Sequence, residues 1–377
     1  MAHGAVKNAL REANGACGDL GTFLPYAVGA VTVGGLSAVG VFFGFGIALI
    51  AAGLFYGIPM AVQPMKAVSA VLLTSGLTPG EVAMAGLLIG ATVLALGVSG
   101  GISWIARHIP PSVNLGLTLG LGLAMIWLGA TLMTDAPLLG LSALAFAVIA
   151  MFVTRVPLLA LGVVAVLASP WLGLADQTPT LAGLTVTLPQ LAWPSWSDLP
   201  RALERVVLPQ IPLTLSNAII VTAAVSASLF HERAARANER TLALTTGLGN
   251  LVLAPFGAMP MCHGAGGVVA QHRFGARSAA APVMLGLVLL ASALFAGESA
   301  AALLAAFPLP IAGALLVVAG ADLAFSKRLF ATRPDCWPVI GITATVAFVF
   351  NPAWALAAGI ALEIVRAGLA RMRTKPP

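Results

Sequence analysis

The sequence has 377 residues, of which 59% are hydrophobic and only 8% are charged, and its mean hydropathy is +0.99. Many continuous apolar runs of membrane-spanning length predict an α-helical membrane protein with several spans, and exclude a soluble domain or a membrane β-barrel. The formal net charge of +6 does not indicate a nucleic-acid partner, because the basic residues are spread over short loops. Cys17, Cys262 and Cys336 lie far apart without metal-ligand spacing, so we expect no disulfide framework, metal site or cofactor.

In chain order, the apolar pattern predicts an all-α polytopic membrane protein with about fourteen transmembrane segments, of which the third and tenth are half-helices. The segments are 18–33, 36–55, 64–74, 81–99, 111–133, 137–153, 157–172, 208–230, 241–253, 262–271, 278–295, 299–325, 337–350 and 352–369. Between the seventh and eighth segments, residues 173–199 are predicted to form a polar link and residues 200–207 a short surface helix.

The distribution of basic residues supports this count. With the N-terminus in the cytoplasm, sixteen of the nineteen lysines and arginines fall on the cytoplasmic side, and the exceptions are Lys66, Arg201 and Arg205. This asymmetry follows the positive-inside rule, so both termini are predicted to be cytoplasmic in a cell inner membrane or plasma membrane. Only eight residues follow Leu369, and we expect no C-terminal regulatory domain.

The third segment combines a helix break with an intramembrane charge. Pro59 and Pro64 bracket a short extended run, and a helix is predicted to begin at Pro64, with Lys66 in its first turn. A cation there is opposed by the helix dipole and costs roughly 3 kcal/mol or more in hydrocarbon. An anion would neutralise both, which indicates an anion-binding site.

A similar pattern recurs in the second half, where Pro260 and Met261 precede Cys262, His263 and another short helix. Each broken segment is third in its set of seven, and an odd number of spans reverses direction, so we predict a 7+7 inverted repeat. The two half-helix N-termini would then face each other near the midplane, as in transporters whose binding sites lie between broken helices.

Three stretches together carry a resemblance to a known family: Gly18–Pro25, Gly57–Lys66, and Pro260–Gly267 with its continuation to Arg277. They resemble the molybdate transporter family of the sulfate-permease-like superfamily. The resemblance implies a uracil-permease-like fold with a core domain and a gate domain, and it implies a homodimer. The core would comprise residues 1–100 and 208–297, and the gate residues 101–172 and 298–377, with residues 173–207 as an extracellular link and surface helix.

A tetrahedral oxyanion fits two facing helix N-termini, because it has four acceptor oxygens and two negative charges. The expected backbone donors are the amides of Met65, Lys66, His263 and Gly264. Lys66 is expected to supply positive charge, or alternatively to form a structural ion pair with Asp19.

The remaining candidates each have two interpretations. Gln63 would cap the half-helix or donate to substrate, and His263 would donate to the anion, carry a coupling proton, or hydrogen-bond to the backbone. Cys262 would be a ligand or a small packing residue. Asp19 would couple a proton or cation, or pair with Lys66, and Thr22 lies on the same helix face, within reach of substrate.

Further polar residues lie in the eighth, twelfth and fourteenth segments. Gln210, Thr214 and Asn217 form one polar stripe, from which we choose Asn217 as a site residue and Gln210 second. Asp322 and Glu363 are expected to pair with Lys327 and Arg366, respectively, or to lie at the membrane interface, with a coupling role as the remaining alternative.

The sequence therefore predicts a secondary active transporter that imports a tetrahedral oxyanion, molybdate first, by alternating access with a coupled proton or cation. A sulfate transporter or an anion exchanger of the same fold is the alternative. An intramembrane enzyme using Cys262 and His263 is disfavoured, because adjacent helical residues point about 100° apart.

Overall fold

The computed structural model describes residues 2–102, 110–153, 186–191, 193–305 and 308–373. The predicted seventh segment, 157–172, and most of the polar link lie outside the described residues. Within the described part, five helices are long and apolar enough to cross a membrane: Ala38–Tyr56, Pro79–Ser99, Pro111–Leu132, Trp196–Ala234 and Ala280–Gly297. The chain is therefore a multi-pass α-helical membrane protein.

The first half contains six described helices and one short strand. They are α1 (Ala2–Thr32), α2 (Ala38–Tyr56), β1 (Val62–Pro64), α3 (Lys66–Ser75), α4 (Pro79–Ser99), α5 (Pro111–Leu132) and α6 (Pro137–Phe152). Local sequence explains several ends. The Ser37 side chain accepts from the amide of Gly40, Thr78 and Glu81 form a capping box, and Gly57 ends α2 with φ 68°.

The second half begins with one long helical run, α7 (Trp196–Ala234), which includes two π-helical segments, Leu203–Val207 and Thr214–Val221, and breaks at His231, where φ is 50°. The elements that follow are α8 (Glu239–Leu253), β2 (Met261–His263), α9 (Ala265–Arg273), α10 (Ala280–Ala305, kinked at Ala296), α11 (Leu309–Ala324), α12 (Lys327–Phe330), α13 (Trp337–Val349) and α14 (Pro352–Arg373).

Three predicted boundaries are wrong. The separate surface helix 200–207 does not exist, because α7 continues through Pro209 and Pro212, with π-helical turns on either side of the two prolines. The predicted helix 299–325 is divided between the end of α10, which reaches Ala305, and α11, which begins at Leu309 after an extended Pro308. Helix α1 begins at Ala2 rather than near Gly18, because nothing in its polar first turns breaks a helix.

The half-helices also begin later than the sequence suggested. The predicted starts at Pro64 and Cys262 both fall in strands, since β1 and β2 pair antiparallel with Gln63 opposite Cys262. Helix α3 begins at Lys66 and α9 at Ala265. Strand pairing satisfies backbone groups that an extended chain would otherwise leave unpaired in a membrane protein.

Helix packing brings small residues into direct backbone contact. Helix α2 packs on α10, α4 packs on α8, and α5 packs on both α11 and α13. A Cβ built on Gly129 of α5 would lie 2.5 Å from the carbonyl oxygen of Gly313 in α11, and the reverse distance is also 2.5 Å. Glycine is therefore required for the close approach of α5 and α11.

Candidate functional site

The two half-helices each follow a strand of one antiparallel pair, so β1 and β2 connect their beginnings. Val62 pairs with His263 and Pro64 pairs with Met261. One step beyond the strands, the amide of Met65 donates to the carbonyl oxygen of Pro260 at 2.9 Å. Met65 was expected to offer its amide to an anion, but this amide is used in the strand pairing and the Met65 side chain is fully buried.

Lys66 is the first residue of α3, and its ammonium pairs with the carboxylate of Asp322 on α11. The alternative in which Lys66 pairs with Asp19 is therefore wrong, and so is the expected pairing of Asp322 with Lys327. The expectation that Lys66 supplies charge to an anion stays a prediction. Helix α11 lies against α1 and α5 and reaches α3 from the opposite half of the sequence, a long-range contact that spacing along the chain does not reveal.

The N-terminal amides of α3 are partly capped by Gln210 of α7. Its Oε1 accepts from the amides of Ala67 and Val68 at 3.1 and 3.2 Å, and its Nε2 donates to Thr214 at 2.9 Å. Among the described residues, the amide of Lys66 has no hydrogen-bond acceptor. Gln210, from the polar stripe of α7, thus caps two amides of α3 and leaves the amide of Lys66 as a donor.

The beginning of α9 is open. Gly264 is its N-cap, and a Cβ built on Gly266 would meet nothing within 4 Å. Within the described part of the chain, the amides of Ala265 and Gly266 have no acceptor, as is normal for the first turn of a helix. Cys262, Gly264 and Ala265 are half-buried and Gly266 is exposed, so this helix end is accessible.

Behind the open face lies a buried polar cluster of Asp19, Gln63 and Gln271. The fully buried Asp19 carboxylate accepts from Gln63 Nε2 at 2.6 Å and from Gln271 Nε2 at 2.9 Å. A Cβ on Gly264 would lie 2.0 Å from Gln63 Oε1. Asp19 therefore positions Gln63, which in turn packs against the start of α9.

His263 is buried with both ring nitrogens in hydrogen bonds. Nε2 lies 2.8 Å from the hydroxyl of Thr245, and Nδ1 lies 3.2 Å from the carbonyl oxygen of Ala61. Its own carbonyl accepts from Thr222 at 3.3 Å. These contacts match the interpretation of His263 as a residue hydrogen-bonded to the backbone.

Asn217 and Asn250 complete the surroundings. The exposed Asn217 accepts from Arg328 Nη1 through its Oδ1 at 3.1 Å. Asn250 of α8 was not identified from the sequence; its amide side chain accepts from the Met261 amide at 2.9 Å and donates to the Met261 carbonyl at 2.7 Å. The side chain of Thr22 lies outside the described residues.

Together these groups form a cradle suited to an oxyanion. It has the Lys66 ammonium, amide donors at two helix N-termini and, among the described residues, open space at Gly266. Helix N-termini bind anions through free N–H groups and the dipole. Among the described residues, no three His, Cys, Asp or Glu side chains converge as metal ligands would.

Comparison with known proteins identifies the family. A family model described as "Molybdate transporter of MFS superfamily" matches residues 11–125 and 202–323. The chain is also 31% identical over 424 residues to molybdate transporter 2 of Arabidopsis thaliana, and the match covers 98% of this chain and 89% of that protein.

Two solved structures share the fold. The transmembrane domain of the bicarbonate transporter BicA from a cyanobacterium aligns with a TM-score of 0.66 and 17% identity, over 96% of this chain and 97% of that chain. The murine anion transporter Slc26a9 aligns with a TM-score of 0.71 and 15% identity, over 97% and 69%. The expected resemblance is confirmed: the chain belongs to the molybdate transporter family, a family of membrane transporters and not of enzymes.

Proposed function

We propose that the protein is a secondary active transporter that imports a tetrahedral oxyanion, with molybdate as the first candidate. The observation that carries the proposal is the cradle: paired strands lead into two helix N-termini, Lys66 begins one of these helices, and the start of the other, at Gly264 and Gly266, is accessible. Such a site supplies positive charge and N–H donors without a large side chain in the way. The names of the relatives, molybdate transporters, favour molybdate over other oxyanions of the same shape.

The proposed binding residues are Lys66 through its ammonium and amide, Gly264 and Cys262 through the surface at the start of α9, and Asn217 at the edge. Gln63, Met65 and His263 hold the strands and helix ends in place through their buried contacts. Thr22 remains a proposed contact from α1. Asp19 and His263 remain the candidates for coupling, because they are buried titratable groups next to the strands.

The proposed mechanism is alternating access in a 7+7 inverted repeat, with the core domain moving against the gate domain. Matched helix pairs support the repeat. The correspondence is counted in the fourteen predicted segments, each related to the one seven segments later. The second and eleventh segments, α2 and α10, then correspond to the ninth and fourth, α8 and α4. The fifth and thirteenth, α5 and α13, correspond to the twelfth and sixth, α11 and α6, and all four pairs are in contact. A homodimer and two cytoplasmic termini are proposed with this arrangement.

Coupling to a proton or cation follows from the charge of the cargo. At a potential of 100 mV, moving a dianion inward is opposed by about 4.6 kcal/mol, at about 2.3 kcal/mol per charge. A carrier that accumulates molybdate must therefore take up compensating positive charge, whereas an exchanger would instead release another anion.

Uptake into proteoliposomes tests the proposal. We expect radiolabelled molybdate to enter, tungstate to compete, and uracil not to compete. The variant Lys66→Met should lose high-affinity uptake, because its positive charge is removed from the cradle. The matched variant Lys7→Met should transport normally, because Lys7 is exposed near the start of α1.

Specific outcomes would contradict the proposal. Normal uptake by Lys66→Met would remove Lys66 from the site. Sulfate transported in preference to molybdate would favour the sulfate alternative, and uptake that requires an anion inside the vesicles would favour an exchanger.

A further inference from the structure

The end of α11 and the start of α12 are held against the cradle at three points, all within residues 319–328. The Tyr26 hydroxyl donates to the carbonyl oxygen of Ala319 at 3.2 Å, Asp322 pairs with Lys66, and Arg328 donates to Asn217 at 3.1 Å. In the proposed domain division, all three contacts join the core to the gate.

Asp322 presents to Lys66 the same chemistry as the proposed cargo. A carboxylate and a tetrahedral oxyanion both offer negative oxygen acceptors to an ammonium group. The Lys66 and Asp322 side chains are 35% and 46% exposed, so a soluble anion can reach the pair. Because a carboxylate beside Lys66 repels a dianion, an arriving oxyanion and Asp322 compete for one cation.

We propose that Asp322 is an internal competitor of the transported anion, occupying Lys66 when the cradle is empty and displaced when the oxyanion binds. The proposal rests on the proposed function, since it takes Lys66 as the anion-binding cation. Displacement removes the central one of the three contacts at residues 319–328. Anion binding is thereby linked to release of the end of α11, and Asp322 is a positioning and affinity-setting residue.

Removing the competitor should tighten binding. We expect Asp322→Asn to lower the molybdate Kd by about threefold to fivefold, measured by calorimetry on purified protein, which is the upper part of the range for an exposed ion pair. The matched control is Asp335→Asn, which removes the same charge from an exposed aspartate that pairs with Arg366. Asp322→Glu keeps a carboxylate and should bind within about twofold of the unmodified protein. Asp322→Ser replaces Asp322→Asn if the latter does not fold.

A second measurement separates displacement from a simple charge effect. In the unmodified protein, molybdate should increase backbone hydrogen exchange in residues 319–330, because the Lys66–Asp322 contact is broken. In Asp322→Asn the same segment should exchange rapidly already without molybdate. In Asp335→Asn it should respond to molybdate as in the unmodified protein.

The outcomes distinguish this inference from the proposed function. If the unmodified protein does not bind molybdate, or Lys66→Met binds it equally well, both are overturned. If Lys66→Met loses binding but Asp322→Asn binds no more tightly than Asp335→Asn, the competitor role alone is overturned. Unchanged or reduced exchange of residues 319–330 on adding molybdate overturns it as well.

Discussion

Replacing Gly264 with alanine tests whether the start of α9 depends on its fit against Gln63. The backbone of Gly264, at φ −108° and ψ 113°, is open to any residue, so alanine causes no backbone strain. The added Cβ would, however, lie 2.0 Å from Gln63 Oε1 and 2.7 Å from its Cδ. Carbon contacts are optimal at roughly 3.5–4.0 Å, so one group must move.

Gln63 has little freedom to move away. It is 4% exposed, its Nε2 donates to Asp19 at 2.6 Å, and a Cβ on Gly267 would lie 2.4 Å from that same nitrogen. Breaking the bond to the carboxylate costs about 1.5–3 kcal/mol, and overpacking a tight interior costs about 1–3 kcal/mol. If about 1–3 kcal/mol is lost from the free energy of molybdate binding, the Kd for molybdate rises roughly fivefold to 150-fold.

Calorimetry measures the change in molybdate affinity, and thermal unfolding in detergent measures the change in stability. Gly249→Ala in α8 is the matched control, because a Cβ there meets nothing within 4 Å. In the double variant Gly264→Ala/Gln63→Ala, the Gly264→Ala substitution should add little to the loss of molybdate affinity caused by Gln63→Ala alone. Full molybdate affinity in Gly264→Ala, or additive losses in the double variant, would refute the packing argument.

Two further substitutions test the supports of the cradle. Gln210→Glu keeps the side-chain shape and the acceptor for the amides of Ala67 and Val68, so the protein should still fold, but the new negative charge should weaken molybdate binding about tenfold or more. The control is Gln190→Glu, at an exposed position. Equal molybdate affinity in the two variants would contradict the location of the site. Asn250→Leu removes the side-chain partners of the Met261 amide and carbonyl and should lower the unfolding free energy by about 2 kcal/mol or more. Asn250→Asp should have an intermediate effect. An unchanged melting temperature would show that the hydrogen bonds from Asn250 to Met261 contribute little to stability.

Much of the fold followed from local sequence. Proline and glycine positions indicated the two broken segments, and apolar length indicated the spans, so α2, α5, α6 and α13 begin or end within a few residues of their predicted bounds. The missed strands have a physical explanation. Three residues of β1 pair only with three residues about two hundred positions away, and such pairing has no local periodicity.

The same reasoning applies to the site. Glu363 pairs with Arg366 as predicted, because both lie on one helix face three residues apart. The alternative pairing of Lys66 with Asp19 was wrong, because opposite charge alone does not tell which helices meet. Asp19 is stabilised instead by two amides, from Gln63 and Gln271, and neutral partners leave no charge pattern to detect.

The antiparallel pairing of β1 with β2 has a consequence for how a cargo would travel. Because the paired strands link α3 to α9, the two helices are expected to move together, and the ion site between them should keep one geometry on both sides of the bilayer. Ion selectivity would then be set by the linked strands and half-helices, while release of the ion would depend on movement of the gate domain relative to them.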